Sequence, residues 1–136
     1  MQYFRLRDIY YGITEPRVDV NRSKDGITLD ISLNGVSNDM NVDKVLRNVN
    51  LSINLETYCT NFYDLIGKHM KELSPKAGIF TINSDIPIEF SKITIHSIDD
   101  HTMTIHWSGE ITLNYNKKYS KNIPFDLEMK ALILGR

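Results

Sequence analysis

Apolar residues at every second position, recurring in four separate stretches, constrain this chain more than any other feature. Ile27, Leu29, Ile31 and Leu33 form one set, Val49, Leu51, Ile53 and Leu55 a second, and Phe125, Leu127, Met129, Ala131 and Ile133 a third. The longest runs Met103, Ile105 and Trp107, passes Gly109, and continues through Ile111, Leu113 and Tyr115. Polar residues, His106, Ser108 and Glu110 among them, fill the alternate positions. Successive side chains of an extended strand point to opposite faces, so a period of two means one face in a core and the other in solvent. A helix would scatter the same residues around its circumference. Glycine inside such a run, as at Gly109, predicts that the long strand bends or bulges there.

Changes of phase carry further information. Ile86, Ile88 and Phe90 alternate on even positions, but Ile93 and Ile95 continue on odd ones, so a bulge or break is required across Ser91-Lys92. If Ile93 and Ile95 share a face with Met103, Ile105 and Trp107, paired positions sum to an even number and the connecting loop is odd in length. Asp99-Asp100-His101 fits as a three-residue turn that opposes Ile95 to Ile105, Ile93 to Trp107, His96 to Thr104 and His106 to Thr94. Val18 and Val20, followed by Lys24-Asp25-Gly26, predict a hairpin with the strand of residues 27–33, and Asn34-Gly35 predicts another turn. Val42, Val45 and Leu46 predict a short helix within residues 39–47.

One stretch has a different period. Phe62, Leu65, Ile66, His69, Met70 and Leu73 follow the i, i+3, i+4 spacing of a helical stripe, while Asp64, Lys68, Lys71 and Glu72 lie largely off it. Asn61 suits an N-cap and Ser74-Pro75 a stop, which predicts an amphipathic helix over residues 61–73. The expected architecture is therefore α+β, a mostly antiparallel, curved sheet of six or seven strands packed against that one helix. No repeat or linker composition divides the 136 residues, so a single domain spanning 1–136 is expected.

Composition removes several classes of function. A formal net charge of -1 lacks the basic field of a nucleic-acid binder, so nucleic acid is not an expected partner. No apolar run approaches the ~20 residues of a membrane span. Arg5, Arg7 and Asp8 stand where a secretory signal needs apolar residues, so the expected location is the cytoplasm. Cys59 is the only cysteine, which excludes an intrachain disulfide and a thiolate metal cage.

The side chains able to do chemistry do not assemble into a motif. His96 and His106 fall on the solvent side of the predicted hairpin as diagonal neighbours, where two imidazoles alone do not make a metal site. His69 sits on the apolar stripe as a core or boundary residue. Cys59 has no local partner for nucleophilic catalysis, and Ser108-Gly109 lacks the glycine that precedes a nucleophile elbow. The glycines form no phosphate loop or dinucleotide fingerprint. Neither a catalytic site nor a cofactor is expected. Tyr115, Lys117, Lys118 and Tyr119 are too short a run for a base-stacking platform.

The N-terminal segment is richer. Tyr3, Arg5, Arg7, Tyr10 and Tyr11 lie close together, and Tyr and Arg dominate protein-binding hot spots because each offers large area with a polar handle. They are the expected partner-binding residues, on what reads as an edge strand. The expected function is non-catalytic protein binding, narrowed to a small bacterial immunity or antitoxin-type inhibitor that neutralises a toxin by direct contact. A small-molecule or lipid carrier with a pocket between sheet and helix is the alternative from another class. An unrecognised hydrolase using His96 and His106 or Cys59, and a structural component of a phage or secretion machine, complete the set.

Overall fold

Ten strands hold 69% of the residues that the computed structural model describes, which are 2–57, 61–66, 71–72 (backbone), 78–113 and 120–135. They are β1 (Tyr3–Leu6), β2 (Ile9–Ser23), β3 (Gly26–Val36), β4 (Asn48–Thr57), β5 (Lys71–Glu72), β6 (Ile79–Thr81), β7 (Asp85–Pro87), β8 (Glu89–Ile98), β9 (Thr102–Ile111) and β10 (Ile123–Leu134). One continuous sheet runs β7-β6-β4-β3-β2-β1-β10-β9-β8, with β5 added beside β4. It curls into a half-barrel.

The curl has a local cause in β2. Ile9 and Tyr11 are buried on odd positions of its first half, and Val18 and Val20 on even positions of its second. The switch occurs at Glu15-Pro16, where Glu15 takes a left-handed φ of 52° and the register against β3 shifts between Thr14 and Arg17. Pro16, having no N–H, suits such a gap in a ladder. β1 is only four residues long and lies as a wedge between β2 and β10. Beyond its end those two strands meet directly in parallel, Arg17 opposite Leu132 and Asp19 opposite Leu134.

The alternating apolar sets all line the concave side. Phe125 on β10 lies 5.6 Å, ring centre to ring centre, from Trp107 on β9, 6.5 Å from Phe4 on β1 and 6.3 Å from Phe80 on β6. In the sheet order β6 and β10 are separated by four strands, so their ring contact is possible only because the sheet rolls up. Ile88 joins the two ends of the roll: its N–H donates to the Gly78 carbonyl at 2.9 Å, and its side chain packs over Gly109.

The expected α+β architecture is corrected. Phe62–Leu65 is a single 3-10 turn, Ile66 is already extended with ψ 126°, and Lys71–Glu72 pairs with Glu56 and Leu55 of β4. Among the described residues there is no helix of seven or more residues. Asn61 does cap this turn, accepting from Tyr63 N–H at 3.0 Å, and Phe62 and Leu65 are buried. An i, i+3 apolar pair satisfies a 3-10 turn as well as an α-helix, because residues three apart eclipse in the former. A sheet that rolls onto its own side chains also needs no helix to cover it. His69, Met70, Leu73 and Ser74-Pro75 lie outside the described residues, as do Cys59 and the Tyr115–Tyr119 cluster of residues 115–119.

Smaller expectations divide. The hairpin through Lys24-Asp25 forms, with Val20 opposite Leu29 and Ser23 opposite Gly26. Asn34-Gly35 is not a turn but lies within β3, opposite Asn50 and Val49. Gly35 is needed there because a Cβ would stand 2.7 Å from the Phe4 ring. The short helix of residues 39–47 shrinks to a 3-10 turn, Lys44–Leu46. The required bulge near Ser91-Lys92 exists: Phe90 and Ser91 of β8 lie between the pairs Glu89–Glu110 and Lys92–Ser108, opposite the single residue Gly109. β9 and β10 stay in register through Gly109, which makes room for Ile88 and Phe125.

Candidate interaction face on the outer side of the sheet

Outward positions of β1, β10, β9 and β8 form rows across the sheet. One row runs Tyr10, Arg5, Asp126, Ser108 and Lys92, each opposite the next in the strand register. The neighbouring row runs Tyr3, Glu128, His106 and Thr94. Two groups that the sequence leaves far apart, the N-terminal Tyr and Arg residues and the paired histidines, thus share one face. β1 is not an edge strand, as the sequence suggests, but lies near the middle of the sheet.

The five N-terminal residues have different fates. Tyr10 is 68% exposed and Arg5 is exposed beside it. Tyr3 is half-buried and donates its phenol to Asp126 Oδ2 at 3.0 Å. Desolvation by burial first, and the bond to the Asp126 carboxylate second, push that phenol above its ordinary range. Arg7 sits in the turn after β1 with φ 53°, its backbone N–H bonded to Pro124 O at 2.9 Å. Tyr11 belongs to the core: its ring stacks on Phe4 at 4.8 Å and its hydroxyl donates to Leu46 O at 2.7 Å. It does not reach the outer face.

The expected three-residue turn Asp99-Asp100-His101 is corrected: Ile98 pairs with Met103 and Ser97 with Thr104, so the turn is four residues long, 99–102, and the expected pairs Ile95–Ile105, Ile93–Trp107 and Thr94–His106 return only beyond a bulge. The turn contains no left-handed residue. Asp99 Oδ1 instead accepts from the N–H groups of His101 and Thr102, and Oδ2 accepts from the Thr102 hydroxyl at 2.7 Å. Those three bonds, with a weaker contribution from Lys130, hold the Asp99 carboxyl down at about 2. His96 is not opposite Thr104, because a second register shift between Ile95 and Ser97 makes it the extra residue of a bulge.

Both histidines face carboxylates of β10. His106 Nε2 lies 2.6 Å from Asp126 Oδ1, although without hydrogen-bond alignment, and His96 Nε2 lies 3.6 Å from Glu128 Oε1. The two rings are 6.1 Å apart. Each imidazole turns to its own carboxylate, and among the described residues no three His, Cys, Asp or Glu side chains converge as metal ligands. Sequence reasoning passed over Asp126 and Glu128. Their signal is present in the alternation itself, as the polar positions between Phe125, Leu127 and Met129.

Two clefts open on this face. One, of about 520 Å³, is walled by Phe90, Lys92, Ser108 and Glu110. The other, of about 270 Å³, is walled by Arg5, Arg7 and Asp126. Pro124 and Phe125 line both. Comparison of the chain with family models, with curated proteins and with solved structures gives no significant match. Among the described residues no helix is long and apolar enough to cross a membrane.

Proposed function

We propose that this chain is a non-catalytic binding domain that engages a folded protein partner through the outer face of β1, β10, β9 and β8. The observation that carries this reading is the row from Tyr10 through Arg5 to Asp126 and Lys92, in which an exposed phenol and guanidinium stand beside acceptors on a rigid sheet. Tyr and Arg each bury large area and keep a polar handle, which is what interface hot spots require. The concave side, filled by Trp107, Phe4, Phe80 and Phe125, leaves the carrier reading with less behind it.

The test is a photo-crosslinking amino acid at Tyr10, with the same group at Asn54 on the outer face of β4 as the comparison. A partner captured from Tyr10 and not from Asn54 is then purified and titrated against the native chain and Tyr10→Ala. Binding that Tyr10→Ala weakens tenfold or more supports the reading; equal crosslinking at the two positions, or affinity indifferent to Tyr10, ends it. An immunity or antitoxin-type role, with both proteins in the cytoplasm, adds the expectation that the partner is an enzyme whose activity falls on binding.

A further inference from the structure

We propose that a trough crossing β1, β10, β9 and β8 seats an extended segment of the partner, with an acidic side chain at one end and a large apolar one about four residues away. The inference rests on the reading of this face as a protein-binding surface and names what it binds. The two clefts described above meet at Pro124 and Phe125, so together they run from the arginines to Phe90. Four strands lie roughly 14 Å apart from first to last, and an extended peptide advances about 3.3 Å per residue, so about four residues span the distance.

The apolar end is marked by Phe90. It is 76% exposed and holds a left-handed φ of 56°, a conformation that bulky side chains avoid. Its ring takes no part in the core, because the bulge that keeps both Ile88 and Ile93 buried leaves Phe90 on the outside. The bulge opposite Gly109 turns Phe90 out to stand as a wall of the larger cleft, with Pro124 also lining it.

At the other end Arg5 and Arg7 both line the smaller cleft. Asp126, which stands opposite Arg5 in the strand register, is engaged by Tyr3 and His106. A partner carboxylate therefore meets the exposed Arg5 guanidinium, for which a bidentate pair is the favoured geometry. Between the ends, Lys92 and Glu110 offer one charge of each sign. A polyanion such as nucleic acid would meet Glu110 and Asp126 along its whole length, which favours a peptide with a single acidic end.

The experiment selects a random dodecapeptide phage library against the full chain. The expected consensus pairs Asp or Glu with Phe, Trp or Leu at a spacing of three to five residues. Synthetic winners should bind Arg5→Glu and Phe90→Gly at least tenfold more weakly, with partial rescue in Arg5→Lys. Phe90→Gly should melt no lower than the native chain, since glycine accepts the left-handed backbone, so its loss of binding cannot be ascribed to unfolding. No consensus, a consensus without acids, equal binding by both variants, or displacement of the winners by a thymidine dodecanucleotide overturns the proposal. If the partner crosslinked at Tyr10 depends on Tyr10 but ignores Arg5→Glu and Phe90→Gly, the trough falls while the binding face stands. If it ignores Tyr10 as well, both fall.

Discussion

Single residues in this protein are specified most tightly where two strands or rings approach closely. A Cβ at Gly109 would lie 2.9 Å from both Ile88 Cγ2 and Phe125 Cε1, and neither neighbour has free space to retreat into. Gly109→Ala is expected to cost about 1–3 kcal/mol through overpacking, measured by urea unfolding. Gly12→Ala is the control, because its Cβ would meet only Val36 O at 3.7 Å, and its effect should stay within about 0.5 kcal/mol. Asp99 provides the pH-dependent case. Its folded carboxyl is depressed to about 2 from an ordinary 3.8, so its support of the turn is complete above that ordinary value and is lost as pH falls toward 2. The Asp99 carboxyl and the His101 and Thr102 amides should titrate together in that window by NMR, and Asp99→Ala should remove the shared transition. Neither device was legible: glycine inside the alternating strand predicts a bend or bulge of β9, whereas β9 stays in register against β10 and the bulge lies opposite in β8, and nothing in Asp99-Asp100-His101 says that a carboxylate replaces the left-handed residue.

At the scale of elements, phase proved more informative than propensity. The change from even to odd positions between Ile88 and Ile93 demanded a bulge, and β8 has it; the same kind of change in β2, from Tyr11 to Val18, marks the bend at Glu15-Pro16. Glu15 holds φ 52°, and its side chain gains only an exposed bond from Asn34. Glu15→Gly should therefore stabilise the protein by about 1 kcal/mol, because a non-glycine in the left-handed region costs about 1–2 kcal/mol and the lost surface bond is worth less. Thermal unfolding should show a midpoint a few degrees higher; an unchanged or lower one would mean the Asn34 contact matters more than the backbone. The helical stripe misled for a physical reason. Only Phe62 and Leu65 of its described members are buried, and one 3-10 turn buries both, so spacing over one turn could not separate the two geometries.

For the molecule as a whole, stability should follow the roll of the sheet. β3 and β9 are paired on both sides along nearly their full length, whereas β7 and β8 end the sheet and β7 is three residues long. Amide hydrogen exchange should be slowest in β3, β9 and β10 and fastest in β7. Exchange from β7 as slow as from β3 would show that the two ends of the roll are joined more firmly than the packing of Ile88 over Gly109 implies. What the sequence determined by itself is which face of β3, β4, β9 and β10 turns inward, because period-two alternation depends only on the pleat. It also determined that Ile93 and Ile95 stand opposite Trp107 and Ile105, because a shared buried face fixes their parity, although the even-length turn and the bulge at His96 that deliver those pairs were decided by the structure. The tertiary structure alone decided which strands lie side by side and that the sheet closes on its own apolar face without a helix. It also decided that Arg5 and Tyr10 share a surface with His106 and Asp126. Those relations join residues about a hundred positions apart, and no local pattern of side chains encodes which distant strand will supply the missing half of a ladder.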